Sequence, residues 1–307
     1  MAQTPLESWT PGSPLANFRE IVFGNYVFPL TFQENARTQK LVVDKRKIAR
    51  VAGAFTAQPK STLDGRVVTI VGTAGSGMMG SSGNVLVTAT DLENERVQIA
   101  RLQGLGKQKL FTRWDRYIYA ELEEFDHKFL QDGGAFRYAD WKLTFYAADP
   151  RYYSTTANSS TYGPVVASGT NSWAISHLGN TRAYPVITIS GACANPTIAI
   201  YQGPSNYIQV AFTSLVMAAG DTLTFSCDPR PETRNTCAVY QPASGAAVNA
   251  LIYINPSTGL ANNIDGSEFL PYIEDSTQQL GVQGLYIGAS AGTNNYTVNV
   301  TYNDTWI

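Results

Sequence analysis

The run Trp141-Lys-Leu-Thr-Phe-Tyr-Ala-Ala-Asp-Pro150 constrains this chain more than any other stretch. Trp141, Leu143 and Phe145 alternate with Lys142, Thr144 and Tyr146. A period of two puts the apolar set on one face of a β-strand and the polar set on the other. Asp149-Pro150 then ends the strand, because proline has no N–H for the ladder and biases the residue before it towards extended or turn geometry. Composition breaks at the same place. Residues 1–150 hold 18 Lys/Arg and 16 Asp/Glu, whereas residues 151–307 hold 4 and 8, with no lysine. A strand that stops where the composition changes reads as the last strand of one domain and the hinge into another. At 307 residues the chain is also long for a single core. The expected domains are 1–154 and 155–307.

Charged residues make up 15% of the chain, below the roughly 25% usual for globular proteins. A hydrophobic content of 44% still supports a packed core. The net charge of −2 argues against a nucleic-acid binder, which needs a basic surface. No apolar run approaches the length of a membrane span. The N-terminus lacks the charged start and apolar core of a signal peptide. The cysteines, Cys193, Cys227 and Cys237, form no Cys-x-x-Cys pair, and there are two histidines. No metal or cofactor site is expected. Cys227 and Cys237 could pair in an oxidising space, or be small buried thiols.

Residues 1–20 read as an arm that orders against something else. Ile21 to Phe32 is β-rich, with a turn at Gly24-Asn25. Residues 33–50 carry Arg37, Lys40, Lys45, Arg46, Lys47 and Arg50 around a short apolar run. They suit a solvated connection or an extension that docks on an acidic surface. Two strands are expected over 53–71. The glycine-rich stretch 72–83 lacks the Gly-Lys-Ser/Thr end of a phosphate loop and precedes the strand-like run Asn84 to Thr90, so it reads as a hairpin tip. Asp91 to Gly104 is the one convincing helix, spanning about 91–103, capped by Thr90 or Asp91, with Leu92, Ile99 and Leu102 as its buried stripe. Strands return over Leu110 to Phe125. Glu121, Glu123, Glu124 and Asp126 cluster there. Alternation places Glu121 and Glu123 on one face, the least geometry a glycosidase pair needs. A polar strand face beside a turn accounts for the cluster equally well.

Residues 155–178 read as a Ser/Thr/Gly-rich linker with a strand opening near Val165-Val166. Beyond them short strands follow at Tyr184–Ser190, Thr197–Tyr201, Tyr207–Phe212, Thr222–Cys227, Ala250–Ile254, Leu285–Ile287 and Tyr296–Tyr302. Turn signals separate them at Gly191, Gly203-Pro204, Gly220-Asp221, Asn255-Pro256, Gly288 and Gly292. This rhythm is that of an antiparallel sandwich or jelly roll.

Several segments carry a resemblance. They are Phe145 to Ser154, Gly179-Asn-Thr-Arg-Ala-Tyr-Pro-Val-Ile-Thr-Ile-Ser-Gly191 with Ala192 to Ile198 after it, Ala219-Gly-Asp-Thr-Leu-Thr-Phe-Ser226, and the Val-Asn-Val-Thr-Tyr strand followed by Trp306. In this order they resemble the distal tail proteins (Dit) of long-tailed, siphovirus bacteriophages, over nearly the whole chain. The resemblance implies a mainly β protein. An N-terminal β-sandwich or split-barrel domain with one helix would form a hexameric ring, and a galectin-like β-sandwich would follow it. It implies a virion protein of the tail tip or baseplate, assembled in the host cytoplasm. Such a protein is an adaptor and not an enzyme. It would join the tail tube protein to the tail hub and the receptor-binding protein, with DNA only as cargo through the ring. Candidate ring or partner contacts are Arg37, Lys40, Lys45, Arg46, Gly75, Met78 and Met79. The chain departs from the family at the polar insertion Asp228 to Thr236. It departs again at Ile287-Gly-Ala-Ser290, where a proline-glycine-asparagine turn is expected.

A second reading makes the C-terminal sandwich a module that binds a host-surface glycan. Sugar faces stack on aromatic rings and sugar hydroxyls need amide partners. Trp173, Tyr201, Tyr207, Tyr240 and Tyr253 are the candidate contacts, each equally readable as a core or ordinary surface aromatic.

Overall fold

A computed structural model describes residues 21–28, 38–41, 65–75, 86–113, 115–132, 135–166, 169–201, 207–228, 238–254, 260–262, 272–273, 283–290 and 294–306. The chain divides into two compact units, Met1–Thr155 and Thr156–Ile307. The expected arm 1–20, the basic residues Arg37, Lys45 and Arg46, Met78, Met79, the insertion from 229 to 236 and Cys237 lie outside the described residues.

In the first unit, β1 (Val22–Phe23) and β2 (Tyr26–Val27) form a hairpin around Gly24-Asn25. Gly24 sits at φ 58°, where a side chain would be strained. β3 (Thr38–Leu41) pairs with β4 (Arg66–Gly75). β4 is longer than the sequence suggests. It runs through Gly72 into the stretch read as a hairpin tip, because Gly72 to Gly75 pair with Trp141 to Tyr138 on the neighbouring strand. α1 (Ala89–Leu102) follows. Asn84 to Thr90 was expected as a strand, but its described part enters the helix. Thr88 caps it, accepting the Asp91 N–H at 3.2 Å, and Asp91 returns the bond to the Thr88 N–H at 2.8 Å. That reciprocal box outweighs the β-propensity of Val85-Leu86-Val87.

β5 (Gln108–Arg113), β6 (Arg116–Asp132) and β7 (Ala135–Ala147) complete an antiparallel meander. β7 is the strand the alternating run at Trp141 predicts. Trp141, Leu143 and Phe145 are buried with Val68, Ile70, Ile118 and Leu122, and Leu92, Ile99 and Leu102 of α1 pack on them. Glu95 of α1 is also buried and accepts the Tyr26 hydroxyl at 2.5 Å, which ties the helix to β2. At the hinge, Asp149 accepts from the Arg151 guanidinium at 2.8 and 3.0 Å and from the Tyr153 hydroxyl. These bonds brace the segment that follows β7.

β8 (Tyr152–Val165) contains the boundary between the units. Its first residues pair with β6, Tyr153 opposite Tyr117. The expected linker over 155–178 is therefore mostly strand. Its serines and threonines lack apolar alternation, but their side chains find partners: the Asn299 amide donates to Thr161 at 3.0 Å and to Ser159 at 3.4 Å.

The second unit is a sandwich of two antiparallel sheets. Its strands are β9 (Gly169–Ala174), β10 (Val186–Ala194), β11 (Thr197–Tyr201), β12 (Tyr207–Ala211), β13 (Val216–Met217), β14 (Thr222–Ser226), β15 (Ala238–Gln241), β16 (Val248–Asn249), β17 (Leu260–Asn262), β18 (Gly284–Ala289) and β19 (Asn295–Trp306). One sheet has the order β16-β15-β14-β10-β19-β8, with β13 beside β10, and the other β17-β12-β11-β18-β9. Ile187 and Ile189 of β10 lie opposite Phe225 and Leu223 of β14 and Val300 and Val298 of β19. Ile198, Ile200, Ile208, Val210, Leu285 and Ile287 face them from the second sheet, all with no exposure.

Three sequence expectations change here. Ala250–Ile254 is not a strand. Ala250–Tyr253 is a 3-10 turn, because the Asn249 side chain accepts the Leu251 N–H at 3.0 Å and so offers the backbone a local partner. Gly191 and Gly288 are not turns but lie within β10 and β18. Gly191 has φ 110°, and a Cβ there would sit 2.4 Å from the Asn295 carbonyl oxygen. The strand passes its neighbour at a distance only glycine permits.

Gly191→Ala is expected to destabilise the protein by about 1–3 kcal/mol, read as a lower urea midpoint at unchanged slope. Thr88→Ala should cost about 1 kcal/mol through the lost cap, with the circular-dichroism signature of the folded state retained.

Candidate functional site

The inward residues of β11, β12 and β18 are fixed by the core, so the alternate positions face outward. Directly opposed residues share a face. The register pairs Tyr201 with Tyr207 and Gly284, and Ala199 with Gln209 and Tyr286. Three tyrosines therefore converge on one end of the outer face. Tyr201 and Tyr207 stack at 5.1 Å between ring centroids, and Tyr286 meets Tyr201 at 4.2 Å. Gly284 makes this approach possible. A Cβ there would lie 2.5 Å from the Tyr286 ring, so the ring lies back over the glycine towards Tyr201. Burial, then the neighbouring Tyr207 and Tyr286, raise the Tyr201 hydroxyl above its usual pKa, so it stays protonated at any physiological pH.

Beyond the rings the face is a groove of about 450 Å³. Its floor is made of Ala199, Ala211 and Gly288, which carry little or no side chain. Thr197 and Gln209 rise from the floor, and neither side chain forms a hydrogen bond within the described residues. The far end is held by Asn195, at φ 47°, a left-handed conformation that asparagine tolerates better than most residues. Its amide donates to the Ser290 hydroxyl at 3.1 Å. Among the described residues, none lining the groove carries a charge.

The candidate aromatics separate on this geometry. Tyr201 lines the groove, and Tyr207 stacks on it from outside the lining. Trp173 does not: it pairs with the buried Leu285, so it faces inward, stacks on Tyr162 at 4.9 Å and packs on the core. Tyr240 and Tyr253 pack edge-to-face at 6.2 Å against the same core and do not line the groove, although the Tyr253 carbonyl accepts the N–H of the lining residue Thr213 at 3.0 Å. The Tyr240 hydroxyl donates to Asp221 at 2.6 Å. Tyr286, Gln209, Asn195 and Ser290 were not anticipated. Alternation within Leu285-Tyr-Ile could have signalled Tyr286, but only the pairing of β18 with β11 brings it to Tyr201.

Of the candidate ring contacts, Lys40 lies in β3, and Gly75 ends β4 opposite Tyr138, buried. The carboxylates do not keep the expected geometry. A β-bulge between Leu122 and Glu124 breaks the alternation. Glu123 is the extra residue, and Glu124 and Asp126 share a face beside Lys142, at 3.5 and 3.9 Å. Exposed pairs of this kind add little stability. The Gln103 amide at the end of α1 donates to the Glu123 carbonyl at 3.2 Å, so the bulge serves helix docking. Cys193 and Cys227 are both buried, and burial pushes the Cys193 thiol up to about 12. Among the described residues no cluster of three or more His, Cys, Asp or Glu is placed to hold a metal, and no helix is long and apolar enough to cross a membrane.

The fold defines a mainly β protein whose second unit is a two-sheet antiparallel sandwich. No protein-family model and no curated protein matches the chain. Among solved structures it matches the SPP1 Dit (gp 19.1) protein, a paradigm of the hub adsorption apparatus in Gram-positive infecting phages. That match has a TM-score of 0.52 at 14% identity, over 94% of this chain and 99% of the other. The chain thus has the fold its sequence resemblance implies. It also aligns with the phage P2 baseplate in its activated conformation with Ca, at TM-score 0.38 and 11% identity over 95% of each chain; no argument rests on that similarity.

The Tyr240–Asp221 bond gives a pH test. The Tyr240 hydroxyl first, then the Ala218 and Ala243 N–H groups, hold the Asp221 carboxyl below its usual range. A lowered carboxyl pKa stabilises the fold above the unfolded value near 3.9, and that stability is lost as pH falls through the folded value. Tyr240→Phe is expected to unfold at lower temperature than wild type at neutral pH. The gap should narrow between about pH 5 and pH 2 as Asp221 protonates.

Proposed function

We propose that the protein is a structural adaptor of a phage tail tip. Copies of the chain close into a hexameric ring that joins the tail tube protein to the tail hub and the receptor-binding protein, with DNA passing through the lumen only as cargo. The observation that carries this reading is the likeness of fold to the SPP1 Dit protein over almost the full length of both chains. The sequence segments at Gly179–Ile198 and Ala219–Ser226 point the same way. Residues 1–154 form the ring and 155–307 project from it.

A closed ring needs a head-to-tail interface in which each copy offers one patch and receives another. The basic stretch with Arg37, Lys40, Lys45 and Arg46 and the glycine-rich stretch with Gly75, Met78 and Met79 are the proposed contacts. Both belong to the first unit, which holds 18 of the 22 Lys/Arg residues of the chain within residues 1–150.

Light scattering with negative-stain imaging tests the reading. The expected result is an annulus of about six copies, alone or after mixing with the tail tube protein, and its loss on reversing Lys45 and Arg46 to glutamate. A chain that stays monomeric even beside the tube protein would overturn it.

A further inference from the structure

We infer that the groove on the outer face of β11, β12 and β18 binds an uncharged saccharide chain. Four features of the groove select this class of ligand together. The wall is aromatic: Tyr201 and Tyr286, both half-buried, line one end, and Tyr207 braces Tyr201 by stacking on it from outside the lining. The floor is short, because Ala199, Ala211 and Gly288 let a ligand approach the sheet closely. Hydrogen-bonding capacity is uncommitted at Gln209 and Thr197, which are partly buried. An amide and a hydroxyl each donate and accept. No described residue of the lining is charged.

Other ligand classes fit less well. Nucleic acid and other polyanions need cations to replace their counterions, and the groove has none. A lipid tail or an apolar peptide face would strand Gln209 and Thr197 without partners, at the cost of their desolvation. A sugar ring offers an apolar C–H face and hydroxyls that both donate and accept. The tyrosines take the first and the amide–hydroxyl pair the second. The volume lies within the roughly 300–1,000 Å³ of ligand sites.

The site stands independently of tail assembly. Its failure would leave the ring adaptor untouched, and the reverse also holds.

The test is calorimetric titration of the full chain with neutral hexasaccharides of glucose, galactose and N-acetylglucosamine, and with a uronic-acid hexasaccharide as the anionic probe. At least one neutral chain should bind and the anionic one should not. Tyr201→Ala and Gln209→Ala should each weaken binding about tenfold or more, a change of about 1.4 kcal/mol. Gly284→Ala displaces the Tyr286 ring, so it should weaken binding with the circular-dichroism spectrum of the folded state retained. Leu178→Ala, at an exposed position outside the groove lining, should bind as wild type. Absence of binding to every neutral probe at millimolar concentration, equal or tighter binding of the anionic probe, or affinity unchanged in Tyr201→Ala, Gln209→Ala and Gly284→Ala would each overturn the proposal.

Discussion

The second unit depends on the register of β10 between β14 and β19. Ile187 and Ile189 are buried only because they stand opposite Phe225, Leu223, Val300 and Val298. A slip by one residue would turn this whole set outward, since side chains alternate with a period of two. Gly191 anchors the register a second way: its missing side chain is what allows the Asn295 carbonyl to lie so close. Once this sheet is set, the opposing sheet must bring Ile198, Ile200, Ile208, Val210, Leu285 and Ile287 inward to close the core. The outward residues of β11, β12 and β18 are then a consequence of the packing. The groove lies largely on the face the core leaves over, with Phe212 and Ala289 of the core cluster at its edge.

The first unit reaches a comparable end with a helix and the β1–β2 hairpin packed together against β7. Trp141, Leu143 and Phe145 of β7 supply the apolar surface, and Leu92, Ile99 and Leu102 of α1 cover it. The bulge at Glu123 and the capping box at Thr88 hold opposite ends of the helix: Gln103 bonds to the bulge, and Thr88 exchanges hydrogen bonds with Asp91. On the other face of β1, β5 and β6, Phe111, Tyr117, Tyr119 and Tyr153 gather beneath the Lys109 ammonium, which stands 5.0 Å from the Tyr117 ring. The second cluster is aromatic where the first is largely aliphatic.

Much of the fold was legible in the sequence because strands declare themselves by alternation. β7, β11 and β12 follow directly from Trp141–Phe145, Thr197–Tyr201 and Tyr207–Phe212. What the sequence hid was structure whose stability comes from partners and not from pattern. β8 has no apolar period, and Asn299 on β19 supports it from far along the chain. Gly191 and Gly288 look like turns because the usual reason for glycine is a turn. Here the reason is close approach at one and a flat groove floor at the other. Half of the site was visible in the same way. Tyr201 and Tyr207 could be named from their strands, but Tyr286 joins them only through the pairing of β18 with β11. Trp173 faces the core for the same kind of reason, its opposition to Leu285.

The uncharged lining of the groove has a kinetic consequence. With no fixed charge in the groove to focus a field, an incoming molecule is not steered there, and its encounter rate follows unassisted diffusion. Ionic strength, which screens surface charges beyond roughly 8–10 Å at physiological salt, has little there to screen. An uncharged ligand of the proposed groove would therefore bind with little dependence on moderate ionic strength.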